Sequence, residues 1–396
     1  MGIDLQLSLF SLSSELLDRV LYTGLVEDGF VWERVGKMAM VSTAMFNHIQ
    51  KSFLRHILRN HYGDGLKMEV AFARHLLKPQ YSIQLENLDL AIHKIGEGSS
   101  GLKQDMLQCC FHKLHIEEGP DAKFMSDSFM EDIARKSTNL SALHLIGNSQ
   151  LTDAGLRQIS LHCHKLQELV LDKLPVSDIG ISEVTKNLKN LSSLELSLTK
   201  STERALESIS CNSHESLRSL NLIHAGGFLP ERLEFLTSCK KLNSFKLLLE
   251  SPLSLTDALL GNLSDSWQEM KDLQLRSAKN ITVIGIEKLI KNCSQLENLT
   301  FDNFILTPEA LRIILIHGKK LRKLCFDRSC VAQDSSALFP IFMEHGGIAK
   351  NLSHISALAG VLDLDHSQQS LLKDKYPNLK FEIKRPFQYR YSLRPL

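Results

Sequence analysis

Aliphatic residues recur along most of the chain in one short phrase, L-x-x-L-x-L, with polar residues between them. The clearest copies begin at Leu140, Leu166, Leu191, Leu217, Leu242, Met270, Leu296 and Leu321, so they return every 25 to 28 residues. Weaker copies begin at Leu85 and Phe111 before them, and at Leu352 and Leu379 after them. Within each copy the last two aliphatics, for example Leu143 and Leu145 or Leu169 and Leu171, stand two apart. That spacing predicts a short strand with both side chains on one buried face. A second echo follows each strand: LTDAGL at 151–156, VSDIGI at 176–181, LTDALL at 255–260, ITVIGI at 281–286 and LTPEAL at 306–311. Thr152, Ser177, Thr256, Thr282 and Thr307 stand where a hydroxyl caps the first free N–H groups of a helix. Asp153 and Asp178 place negative charge in the first helical turn, and Pro308 fits the first helical position.

A strand, a turn and a helical return at this fixed period resemble a leucine-rich repeat. Cys163, Cys239 and Cys293 each lie three residues before the first aliphatic of a copy, which resembles the cysteine-containing subclass. Those thiols read as small buried apolar groups at equivalent positions rather than as a metal or redox site. No single repeat can bury its own apolar face, so the repeats must stack. The expected fold is an α/β leucine-rich-repeat solenoid of about eleven repeats over residues 81–384, with its strands on the concave side. Side chains between the core aliphatics then face the concavity: His144, Val170, Glu195, Asn221, Lys246, Gln274, Thr300 and Cys325 in one row, with Arg276 and Asp302 in the next. Of these, His144, Glu195, Asn221, Lys246, Gln274, Arg276 and Asp302 are the expected substrate-facing residues. An arc this long suits a protein or an extended peptide.

The first fifty residues depart from the repeat. In LSLFSLSSELLDRVLYTGL, Ser13 can cap a helix, and Leu16, Leu17, Val20 and Leu21 form one aliphatic stripe. A second helical pattern, VWERVGKMAMVSTAMFNHI, repeats Val31, Val35, Met38, Val41, Met45 and Ile49 on one side. So small a body cannot bury all of these side chains, each worth roughly 1.5–3 kcal/mol when buried. They cover either a partner or the open end of the first repeat. Leu12, Glu15, Leu16 and Leu17, followed by Val20, Leu21, Val41, Ser42 and Phe46, resemble an F-box, with Ser13 in place of its proline and Thr43 in place of its lysine. The resemblance implies a small all-α domain over 1–53 whose Leu12, Leu16, Leu17, Val20, Leu21, Val41 and Phe46 dock a Skp-type adaptor, and through it a cullin. Residues 54–80 read as a helical spacer. An F-box ahead of such repeats resembles the substrate receptors of Skp–cullin–F-box ubiquitin ligases, which are non-catalytic and hold a protein substrate. The alternative is a leucine-rich-repeat scaffold or inhibitor with a helical cap and no ligase link.

Composition narrows this picture without changing it. The 396 residues are 43% apolar and carry a net charge of +1, so nucleic acid is not an expected partner. There is no apolar run of the length that spans a membrane. MGIDLQLSLF lacks a basic segment and a cleavage site, so a cytoplasmic or nuclear location is expected, and the seven N-x-S/T sequons read as by-products of the repeat. Eight cysteines in that setting are expected to be reduced. Gly96-Glu-Gly98-Ser-Ser-Gly101 fits a dinucleotide-binding spacing, with Glu117 and Glu118 about twenty residues on. Yet the copies at Leu85 and Phe111 keep the repeat register across it, and no second nucleotide-binding half follows. It reads as a loop in an irregular first repeat. His162-Cys163-His164 and His112-x-x-His115 lack a second ligand pair at structural-zinc spacing. No catalytic residue, metal or cofactor is expected. The tail 385–396, which alternates aromatics and arginines, is expected to shield the last repeat or enter the concave face.

Overall fold

The computed structural model describes residues 88–95, 103, 106–107 and 110–384, with short interruptions at 120–122, 148–149, 198, 224–228, 249–254, 277, 328–329, 332–337, 346–350, 359–364, 377 and 379. The expected F-box-like helices, the spacer, the Gly96–Gly101 loop and the tail lie outside these residues.

Parallel strands and helices alternate throughout. Strands β1 (Leu88–Ile95), β2 (Phe111–Glu118), β3 (Ala142–Ile146), β4 (Glu168–Asp172), β5 (Ser193–Ser197), β6 (Ser219–Ile223), β7 (Ser244–Leu248), β8 (Asp272–Arg276) and β9 (Asn298–Asp302) pair in sequence order. The sheet continues through β11 (Lys323–Asp327), β13 (His354–Leu358) and β14 (Lys380–Lys384), giving twelve strands among the described residues. Two short strands, β10 (Ile305–Leu306) and β12 (Cys330–Val331), pair beside it. Between strands run α1 (Asp127–Lys136), α2 (Asp153–His162), α3 (Asp178–Asn187), α4 (Glu203–Asn212), a 3-10 helix (Pro230–Ser238), α5 (Asp257–Ser266), α6 (Val283–Asn292), α7 (Pro308–His317), α8 (Leu338–His345) and α9 (His366–Lys375). This is the leucine-rich-repeat solenoid that the pattern predicted.

The core is the repeat written in side chains. Leu143 and Leu145, Leu169 and Leu171, Leu194 and Leu196, and their successors to Leu324 and Phe326 are buried. Against them pack the helical pairs Leu156 and Ile159, Ile181 and Val184, and Ile286 and Leu289. Each strand pairs one-to-one with the next, Leu169 opposite Leu194 and Leu194 opposite Leu220, so every repeat presents the same face. At the last strand the register sets Phe381 opposite Ile355 and Ile383 opposite Ala357. The final copy therefore starts one residue before Leu379. A one-residue slip would exchange the two faces of the strand, so burial fixes the register.

All five expected caps hold, at Thr152, Ser177, Thr256, Thr282 and Thr307. Thr202 caps α4 in the same way, although its surroundings, LTKSTERAL, hide the echo. The residue ahead of the cap is aliphatic and buried at Leu151, Val176, Leu255, Ile281 and Leu306. Ser201 takes that place before Thr202, and its hydroxyl pairs with the Thr199 hydroxyl at 2.7 Å in a buried site. Where β3 turns into its loop, Gly147 adopts φ +145°, and a side chain there would collide with Glu118. At this crowded turn only glycine is free of strain.

Candidate functional site

Helices cover one face of the sheet, so the odd positions of each strand form the other, open face. The middle row runs His115, His144, Val170, Glu195, Asn221, Lys246, Gln274, Thr300 and Cys325, each directly opposite the next. Five of the expected residues, His144, Glu195, Asn221, Lys246 and Gln274, thus stand side by side. All are half-buried, as side chains flanked by two neighbouring strands should be. A further row was not anticipated: the first strand positions, Glu168, Ser193, Ser219, Ser244, Asp272, Asn298 and Lys323, face the same way. Alternation along the strand was the signal, since the row lies two residues before the one singled out.

Local pairing divides the surface. Asn221 Nδ2 donates to Glu195 Oε2 at 2.7 Å, which fixes the carboxylate in the centre of the face. Arg276 Nε donates to Asp302 Oδ2 at 2.7 Å, with only 15% and 6% of the two side chains exposed. These two expected substrate contacts are engaged with each other, and Asp302 is buried. Asp272 is exposed at the start of β8 and accepts from Asn298 Nδ2 at 3.4 Å; partial desolvation raises its carboxyl pKa, opposed by the Asn298 hydrogen bond and the charges of Lys323 and Lys246.

At the β2–β3 end, His115 Nδ1 lies 3.4 Å from His144 Nδ1, with the rings edge to face. His144 Nε2 lies 3.0 Å from Glu168 Oε1. His115 was noticed in the sequence only for its spacing from His112. Its neighbour proves to be across the sheet, a pairing that follows once the weak copy at Phe111 is held in register with the copy at Leu140.

The other chemical hints resolve as structure. Cys163, Cys239 and Cys293 are free, buried, and sit at helix ends. Burial pushes their thiols up to about 12, 11 and 12, so they remain protonated and unreactive. Glu118, which the dinucleotide spacing would send to a ribose, is buried and accepts the Met125 N–H. Burial raises its pKa against the pull of the Met125 and Phe124 N–H groups and of Lys103. The Lys103 ammonium in turn sits over the Phe124 and Phe129 rings at 5.6 and 5.0 Å. Among the described residues no group of three or more His, Cys, Asp or Glu side chains is gathered for a metal ion, and no helix is long and apolar enough to cross a membrane.

No family model matches the chain. Its structure is similar to that of a chain in the crystal structure of the Rad7 and Elc1 complex in yeast, with a TM-score of 0.52, 16% sequence identity and 97% of each chain covered. At that identity the likeness speaks to the fold.

Proposed function

We propose that the chain is a non-catalytic substrate receptor of a ubiquitin ligase of the Skp–cullin–F-box type. Residues 1–53 dock a Skp-type adaptor through Leu12, Leu16, Leu17, Val20, Leu21, Val41 and Phe46, and the open face of the sheet holds a protein substrate. A cytoplasmic or nuclear location belongs to the same proposal. The observation that carries the substrate half is the continuous row from His144 to Gln274, polar except at Val170, half-buried and in register over consecutive strands. Strands about 4.8 Å apart make such a row tens of ångströms long, the dimension of a protein epitope rather than of a metabolite pocket. Resemblance to the F-box carries the adaptor half, and a structural neighbour solved in complex with a second protein is in keeping with it. The receptor acts by holding two proteins on one rigid body, which raises the effective concentration of substrate lysines at the transfer centre.

The test is co-expression of the full chain with a Skp adaptor, in the wild type and in Leu16→Asp/Leu17→Asp. Co-purification of the wild type alone supports the receptor. Co-purification of neither favours the scaffold or inhibitor reading, in which the first helices only cap the repeats.

A further inference from the structure

We propose that His115 and His144 form a divalent transition-metal site on the open face, binding Zn2+ through their two Nδ1 atoms. The ion's remaining positions are left to water or to a side chain of whatever lies on that face. The inference stands on geometry and does not depend on the ligase reading.

The register sets His115 directly opposite His144, so both rings leave the sheet side by side. Their Nδ1 atoms are 3.4 Å apart. Two Zn–N bonds of about 2.0–2.1 Å at a tetrahedral angle place the nitrogens about 3.3–3.4 Å apart. The same construction puts the ring centroids roughly 5.2 Å apart, and here they are 5.5 Å apart at an interplanar angle of 70°. The two rings already stand within a few tenths of an ångström of the arrangement that two tetrahedral ligands adopt.

A third residue bears on which nitrogen is available. Glu168 Oε1 lies 3.0 Å from His144 Nε2 without hydrogen-bond geometry, and a small rotation of the carboxylate would bring it into line, hold the His144 proton on Nε2 and leave the Nδ1 lone pair for the ion. A carboxylate behind the outer nitrogen of a ligating histidine is the usual support of such a site: it sets the tautomer and raises ligand basicity. Without metal, the two Nδ1 atoms share one hydrogen bond; when the ion enters, the proton between them passes to the Nε2 of the ring that carried it, so that both rings bind as neutral imidazoles. Around the pair, Ala142 and Ile146 flank His144 on its strand, and Lys113 and Glu117 flank His115 with opposite charges. Two ligands from the chain leave the coordination sphere incomplete. The site can therefore accept one further His, Cys or carboxylate from a bound chain.

The experiment uses the full chain, freed of metal with a chelator and titrated with Zn2+ by calorimetry, alongside Co2+ substitution read by visible absorption. One equivalent should bind with tetrahedral Co2+ bands. His115→Ala or His144→Ala should weaken that binding at least a hundredfold, and Glu168→Gln by about tenfold. His354→Ala, on a distant strand, should leave it unchanged. In the wild type, the 15N resonances of both Nδ1 atoms should shift on adding Zn2+. The proposal fails if those resonances do not move, or if the histidine variants bind as the wild type does.

Discussion

Thr202 is tied to Asp178, twenty-four residues before it, by two hydrogen bonds: its backbone N–H and its hydroxyl each reach one carboxylate oxygen at 2.6 Å. Asp178 opens one helix and Thr202 caps the next, so the bond joins adjacent repeats. The same link joins Asp127 to Thr152, Asp153 to Ser177 and Asp257 to Thr282. Repeats in a solenoid touch only their neighbours, so a link between neighbours contributes to the interface free energy on which cooperative folding depends.

Asp178→Ala should therefore lower stability by about 1–2 kcal/mol, the range for a charge-assisted hydrogen bond discounted for partial exposure. Glu203→Ala should cost almost nothing, although Glu203 also opens its helix, because the next repeat begins with a 3-10 helix that has no side-chain cap. Urea unfolding of the two variants checks both.

Trp267 occupies the place held by cysteine at Cys163, Cys239 and Cys293. Its indole is fully buried, lies 4.9 Å from the Phe245 ring, and donates Nε1–H to the Leu236 carbonyl of the 3-10 helix at 3.3 Å. Trp267→Ala should cost about 3–5 kcal/mol. Trp267→Phe keeps most of the volume and removes one of the two hydrogen bonds to the Leu236 carbonyl, which still accepts the Cys239 N–H, so a loss of about 0.5–1.5 kcal/mol is expected. Thermal unfolding separates the two.

These two cases mark where the sequence was legible. The strands, the caps and the role of the cysteines follow from positions that repeat, and repetition makes a weak local signal strong. Asp153 and Asp178 read only as charges at the start of a helix, because their partners belong to the next repeat and no spacing rule points there. Thr202 was missed because Ser201 stands where an aliphatic residue marks the echo elsewhere. Trp267 breaks the cysteine position for a reason visible only in space, the 3-10 helix beside it. On the open face, the middle row was legible from alternation. The pairing of Arg276 with Asp302 was not, since it depends on which of two neighbouring strands a side chain leans toward.

The buried thiols make stability fall at alkaline pH. Unfolded cysteines ionise near 9, whereas in the folded chain burial holds Cys239 protonated to about 11, and Cys163 and Cys293 to about 12. Between those values the unfolded state binds fewer protons, so unfolding becomes easier as pH rises, and below pH 9 the three contribute no slope. Each thiol adds up to about 1.4 kcal/mol per pH unit. Cys163→Ala should flatten the dependence of the urea midpoint between pH 9 and 10.5 relative to the wild type, at a fixed small cost from the lost sulfur.

The buried hydroxyl pair of Thr199 and Ser201 is a local answer to a missing aliphatic side chain. Ser201→Ala removes one partner and strands the other, so a loss of about 1–3 kcal/mol is expected. Thr199→Val/Ser201→Val removes both polar groups together and should recover most of that loss, because Val176 already shows an aliphatic residue packed in the equivalent place. A double-mutant cycle measures the coupling.

On the open face, stability and recognition should come apart. Arg276 and Asp302 hold β8 to β9 in a largely buried ion pair, and removing one partner leaves an uncompensated charge. Arg276→Ala should therefore cost about 3–5 kcal/mol and would impair any function through folding. Lys246 is half-buried in the middle row, between Asn221 and Gln274. Lys246→Glu loses a favourable charge beside the exposed Asp272, so it should cost no more than about 1 kcal/mol, yet reverse a charge at the centre of the proposed binding surface. If the open face holds a protein, Lys246→Glu should abolish capture of that protein while leaving the thermal midpoint and adaptor binding intact. Unchanged capture would move the binding surface off the strands. Equal loss of capture and of thermal midpoint would show that Lys246 serves the fold, as Arg276 does.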